Sequence, residues 1–243
     1  MKTILNFFNK YRVRIIFGFL CIFILIVLYM CYSYLSYFLN ICDKFKTEYE
    51  SLNDEMTEDG KEYPKVKISG SGIIKYSSVD DVLDILDDGY GVIYFGSAGC
   101  LYCRSAVQVL MDTALDTELK ELYYLDISKV WDIKKIDDNG KIVSVKEASS
   151  GYDKLLQELG DEYLIDYIVS DNTGRRVDAE EKRLNVPLVV FVVDGNIVSS
   201  RIGTLFSQTD PYTPLDNSQV KGLSEIYRSG IEDVLKGIQN INK

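Results

Sequence analysis

Histidine is absent from the 243 residues. Its absence removes Ser-His-Asp and Cys-His catalysis together with every histidine-ligated metal site. Cysteine is scarce: of five, Cys21 and Cys31 lie in an apolar run, Cys42 sits at its edge, and only Cys100 and Cys103 fall in the polar remainder. One pair is not a disulfide framework. Positive charge is also short, with 27 Lys and Arg against 37 Asp and Glu and a formal net charge of −10. The first 41 residues hold four basic and no acidic residues, so the rest carries 23 against 37, a formal −14 that repels phosphate backbones. Nucleic acid is therefore not expected as a partner. The carboxylates read as turns and solvated faces, as at Asp80-Asp81, Asp87-Asp88 and Glu180-Glu181, and no pair stands apart as general acid and base. Internal repeats and low-complexity tracts are missing too.

Charge of either sign is missing from Ile15 to Ile41, "IIFGFLCIFILIVLYMCYSYLSYFLNI". As a helix this run would reach about 40 Å, against about 30 Å of bilayer hydrocarbon, so residues 15–41 are expected to form a single transmembrane helix. A cleaved signal peptide has a shorter apolar region and a small-residue cleavage site, which this run does not offer. Lys2, Lys10, Arg12 and Arg14 precede the run and Lys44 and Lys46 follow it, placing residues 1–14 in the cytoplasm and the C-terminal domain outside. Tyr29, Tyr32, Tyr34 and Tyr37 match an interfacial aromatic belt. Cys42 reads as a small apolar residue or as an acylation site.

Beyond the run, Phe45, Tyr49, Leu52 and Met56 recur at helical spacing, but over fewer than two heptads, so residues 42–65 are expected as a short stalk closed by Gly60 and Pro64. A folded domain over residues 66–243 follows. Ser78, with Asp80 and Asp81 behind it and Gly89 beyond, brackets a helix. "YGVIYF" reads as a strand buried on both faces, and Val107, Leu110, Met111 and Ala114 mark an amphipathic helix whose first turn holds the cysteines. "LYYLDIS" completes a βαβ unit with parallel strands. Residues 131–184 read as an insertion: a hairpin at Asn139-Gly140, a helical pattern interrupted by Gly160, and a turn at "SDNTGRRV". "VPLVVFVVDGNIV" returns to strands joined at Asp194-Gly195, and Asp216 with Gln219 suggests a capping box for a last helix carrying Leu223, Tyr227, Val234 and Leu235.

This order, with "YFGSAGCLYCR" and "NVPLVVFVVDGNIV", resembles the thioredoxin-like superfamily over about residues 73–238. The resemblance implies an α/β fold with a central mixed sheet flanked by helices and an insertion before a cis-Pro strand. It implies Cys100 as attacking thiol, Cys103 as resolving thiol and Pro187 as a cis-proline facing them, with the Val186 backbone free to pair with an extended substrate. In its "GxxxCxxCR" run and "PLVVFVVDGNIV" the chain is also similar to the bacteriocin transport accessory group. Tyr94 stands where the superfamily keeps an acidic residue, Gly99 replaces a Trp, and Leu101-Tyr102 replace Gly-Pro between the cysteines.

The chemistry follows from the position of the pair. Unpaired N–H groups at a helix start favour an anion at Cys100, and thiols so placed ionise at about 3.5–7.5 instead of about 8.5. Cys103, one turn on, can reach back to resolve a mixed disulfide. Arg104 would either add positive potential or point into solvent. Structural zinc needs four ligands, and only Cys42 could join the pair, so no metal site is expected, although transient binding of a soft ion such as Cu(I) stays open. No cofactor beyond the pair is required. The leading expectation is a bacterial, extracytoplasmic, membrane-anchored thiol-disulfide oxidoreductase acting on exported proteins, with a redox partner in the membrane. Nothing basic lies between the cysteines, which favours reduction or isomerisation over strong oxidation. The alternative is a non-catalytic thioredoxin-fold module that serves secretion or envelope assembly and uses the insertion as its contact surface.

Overall fold

The computed structural model describes residues 2–171 and 173–241, and within the first helix the side chains of residues 16, 17, 19–34 and 44–50. That helix, α1 (Lys2–Glu50), contains the predicted span, of which the side chains at 15, 18 and 35–41 lie outside the described residues. Among the described residues, no helix is long and apolar enough to cross a membrane. Cys42, weighed as an acylation site, also lies outside them.

The remaining elements are β1 (Ile74–Tyr76), α2 (Val79–Asp88), β2 (Gly91–Gly96), α3 (Leu101–Asp116), β3 (Leu122–Asp126) and α4 (Ile127–Val130), then β4 (Ile133–Ile136), β5 (Ile142–Lys146), α5 (Tyr152–Leu159), β6 (Leu164–Ser170) and β7 (Arg176–Leu184), and last β8 (Leu188–Val193), β9 (Asn196–Ile202) and α6 (Asn217–Ile241). Five strands form one mixed sheet in the order β1-β3-β2-β8-β9. β1, β3 and β2 run parallel, while β8 joins β2 and β9 joins β8 antiparallel. The molecule is thus mixed α/β, a mixed sheet flanked by helices.

Alternation along the central strands builds two apolar layers. Val92 and Tyr94 of β2 pack with Val189 and Phe191 of β8 against α3, α6 and the end of α1. Ile93 and Phe95 pack with Val190 and Val192 against α2, α4 and α5. A strand buried on both faces has no solvent side to make polar, which is why "GVIYFG" is an unbroken apolar run. Ser78 and Asp81 cap α2 reciprocally, and Asp216 and Gln219 do the same before α6. Asp194 (φ 52°) and Gly195 (φ 71°) both adopt the left-handed region that a tight two-residue hairpin turn requires.

Three local expectations differ from the structure. The segment 42–65, expected as a stalk, is docked on the domain: Phe45 and Tyr49 are wholly buried in its core. Their helical spacing revealed an apolar face without revealing its partner. The helical pattern interrupted by Gly160 holds only before it: α5 ends at Leu159, and β6 beyond Tyr163 pairs with β7 in a hairpin closed by the Gly174 N–H on Asp171 O. Of the two alternatives for Arg104, the solvent-facing one is overturned: the side chain is completely buried.

Four oxygens hold that arginine. Its Nε donates to Pro64 O at 2.6 Å, Nη1 to Tyr49 O at 2.8 Å and Ala98 O at 3.1 Å, and Nη2 to Asn53 Oδ1 at 2.8 Å. Among the described residues no carboxylate neutralises it, and burial draws its pKa down. Asn53 completes the clamp by bonding the Val66 N–H and C=O, each at 2.8 Å. Replacing Arg104 by Met would leave several buried acceptors unsatisfied, each costing about 1–3 kcal/mol. Arg104→Met is expected to destabilise the chain by about 3 kcal/mol or more and to lower Tm by about 6–12 °C in thermal melts followed by circular dichroism, and Arg104→Lys, without the planar fork, should recover only part of this.

Candidate functional site

β2 ends at Gly96, where a Cβ would strike the Tyr94 hydroxyl and only glycine leaves room for that ring. The chain then turns through residues 97–99, with the Cys100 N–H on Ser97 O at 3.2 Å. Cys100 is the N-cap of α3, and its Sγ accepts from the Cys103 N–H at 3.2 Å. The two cysteines are joined by a disulfide, their Cα atoms 5.1 Å apart. Cys100 is partly exposed and Cys103 wholly buried. Cys100 is therefore the partly exposed member of the pair, at a helix N-terminus, and Cys103 the buried one.

The other expected site residues come close by way of the sheet. Phe95 pairs with Leu188, so the start of β8 lies beside the end of β2 from which the cysteine turn departs. The Val186–Pro187 peptide bond is cis. Pro187 O accepts from the Gly203 N–H at 2.7 Å, whereas among the described residues the N–H and C=O of Val186 have no hydrogen-bond partner. A groove of about 390 Å³ is lined by Tyr102, from between the cysteines, by Asn185 and Val186, and by the loop around Phe206. That loop is fastened to α3 by Gln208, whose Nε2 donates to Ser105 Oγ at 3.1 Å and to Thr213 O at 3.0 Å. The arrangement offers an electrophilic or nucleophilic sulfur at one side and an open backbone edge at the other. Among the described residues, no group of three or more cysteine and carboxylate side chains could hold a metal ion.

Beneath the pair lies a layer of tyrosines in place of a carboxylate. The Tyr94 hydroxyl meets the Tyr49 hydroxyl at 2.9 Å and donates to Cys103 O at 3.5 Å. Tyr124 stacks on Tyr94 with ring centroids 5.5 Å apart and donates to Glu48 Oε1 at 2.8 Å, while Tyr76 donates to Glu48 Oε2 at 2.7 Å. Burial first, and the neighbouring hydroxyls second, push Tyr49 and Tyr94 well above the ordinary phenol range. Burial, then the carboxylates of Asp126 and Glu48, does the same to Tyr124. Tyr94 is thus a neutral hydroxyl at neutral pH and does not exchange protons with the pair there.

The structural roles of two residues named in the sequence reading went unseen there. Arg104 fixes Ala98 O, in the turn that presents Cys100, and its spacing of three and seven from Val107 and Met111 puts it on the buried stripe of α3, a signal that could have found it. Tyr49 contributes the hydroxyl under Tyr94 from a segment 45 residues away, and nothing local in the sequence announces that contact.

The buried phenols make stability pH-dependent with a definite sign. Unfolded phenols ionise near about pH 10, the folded ones hold their protons well above it, and so the unfolded state binds fewer protons on the alkaline side. Stability is expected to be unaffected by these groups below about pH 10 and to fall as pH rises beyond it. Phenolate absorbance near 295 nm should then appear in two stages: exposed tyrosines first, and the buried set cooperatively with loss of ellipticity.

No protein-family model, curated protein or solved structure matches this chain.

Proposed function

We propose that this chain is a membrane-anchored thiol-disulfide oxidoreductase with a thioredoxin-like fold, acting outside the cytoplasm on exported polypeptides. One observation carries the reading: Cys100, partly exposed at the start of α3 and disulfide-bonded to a buried Cys103, is two residues from Tyr102, which lines a groove where the Val186 backbone is unpaired. Starting reduced, the Cys100 thiolate attacks a substrate disulfide, forming a mixed disulfide and expelling one substrate thiolate. Cys103 then attacks Cys100 Sγ, its proton passing to the substrate thiolate already expelled, and the second substrate thiolate leaves as the intramolecular disulfide closes. Two electrons pass from the pair to the substrate, and a dithiol donor must restore them. The Val186 backbone, beside the cis Pro187, would hold the substrate strand by addition at the open edge. The anchor is supported by the charge-free run at residues 15–41 and by the exposure of Phe17, Phe19, Phe23 and Leu25, which no other described residue covers.

A second reading, a non-catalytic binding or accessory module in secretion or envelope assembly, is favoured by the neutral Tyr94 beneath the pair. Kinetics with purified full-length chain in detergent separate the two. Cys100→Ser is expected to abolish reduction of a small neutral disulfide, and Cys103→Ser to accumulate a reductant-sensitive adduct on Cys100, seen by intact mass. The thiolate absorbance of the reduced wild type at 240 nm should titrate between about pH 3.5 and 7.5. Reduced wild-type chain that leaves every disulfide untouched would leave the binding module as the reading.

A further inference from the structure

The groove beside the cysteines does not end at Val186. Asn185 and Val186 also line a second groove, of about 340 Å³, that continues over the insertion between β6, β7 and Trp131. Along this continuous track stand Arg201 on the cysteine side and Arg176 and Arg183 on the far side, against one carboxylate, Asp166, whose cross-strand neighbour is Lys182. In a chain of net charge −10, cations would be expected to find partners within the molecule. Among the described residues none of these three arginines forms an ion pair, and the Nε of both Arg183 and Arg201 is buried without an acceptor.

Aromatic rings help hold these two guanidinium groups in place, and Nη2 of Arg201 also donates to Thr204 O, leaving its Nε without an acceptor. Arg183 lies 3.7 Å from the Trp131 ring centroid and 4.1 Å from that of Tyr167. Arg201 lies 5.3 Å from the Phe206 ring, and Phe206 itself is 96% exposed, an apolar side chain left at the groove wall. A guanidinium stacked on a ring is fixed in plane while its donor edge stays directed outward, the arrangement suited to carboxylates. Unsatisfied buried donors are rare, and two of them flanking one unpaired backbone segment point to an acceptor that arrives from outside.

We propose that the two grooves form one docking track for an extended polypeptide segment with acidic side chains on both sides of its reacting cysteine, Arg201 meeting one carboxylate and Arg183 the other. The inference rests on the exchange reading above and names its substrate class. The domain's overall negative charge opposes such a partner at a distance, but screening at physiological salt confines that repulsion to about 8 Å, and within the groove the local sign is positive.

The test uses full-length chain in detergent and three fifteen-residue peptides, each bearing one cysteine as a mixed disulfide flanked on both sides by Glu, Gln or Lys. The reduced chain is expected to reduce the Glu peptide about 10-fold faster than the Gln peptide, and the Lys peptide most slowly. The Glu-over-Gln ratio should shrink to about 2-fold in 0.5 M NaCl and in Arg183→Gln/Arg201→Gln, while Arg183→Lys should keep most of it, separating lost charge from lost packing. Equal Glu and Gln rates alongside normal reduction of a small neutral disulfide would overturn the inference and leave the oxidoreductase standing. If no disulfide is reduced, the oxidoreductase reading fails, and anisotropy of cysteine-free labelled peptides on the oxidised chain decides the track by the same ratio. Tighter binding of a fifteen-nucleotide single strand than of the Glu peptide would also overturn it.

Discussion

A guanidinium that cannot be deprotonated, buried without a carboxylate, is the constraint around which this domain is arranged. Arg104 is tolerated only because four oxygens converge on it, and they come from the end of α1, from Asn53, from Pro64 and from the turn before Cys100. Removing any one segment exposes the charge to an incomplete shell in a medium where that is expensive. The side chain therefore couples two things that local sequence would leave independent: where the polypeptide after the long helix docks, and how the cysteine turn is held. A carboxylate partner would have satisfied the same charge at one point. Backbone carbonyls at Tyr49, Pro64 and Ala98 tie together a region.

The tyrosine layer is the second consequence of that docking. Once the last turns of α1 lie against the sheet, Phe45 and Tyr49 close over Tyr94 and Tyr124, with Phe45 and Tyr124 at 4.9 Å and near-perpendicular. Hydroxyls inside such a layer need partners, and they find one another and Glu48. Cys103 thus meets a phenol hydroxyl, while the Glu48 carboxylate is held by Tyr76 and Tyr124, which leaves the thiol chemistry to the α3 terminus and to solvent.

Much of the fold was legible because its signals are local. The capping boxes at Ser78 and Asp216, the Asp194-Gly195 turn, the apolar run of β2 and the cysteines at the start of α3 each lie within a few residues of what they determine. What stayed hidden depends on distant partners. The burial of Phe45 and Tyr49 requires the sheet, and the role of Arg104 requires residues 49–64. The stretch after Gly160 carries apolar residues at both helical and strand spacing, and only its pairing with residues 176–184 decides between them. At the candidate site the cysteines could be read directly, whereas the groove is made by loops that meet in space.

The open edge at Val186 is one residue long. Pro187, next to it, has no N–H to offer and its carbonyl is already taken by Gly203, so a visiting strand can gain two backbone hydrogen bonds here and no growing ladder. At about 0.5–1.5 kcal/mol each, those bonds orient a guest without retaining it. Such brevity suits a catalyst that must let go of every polypeptide it handles, and it also denies neighbouring copies a template on which to stack.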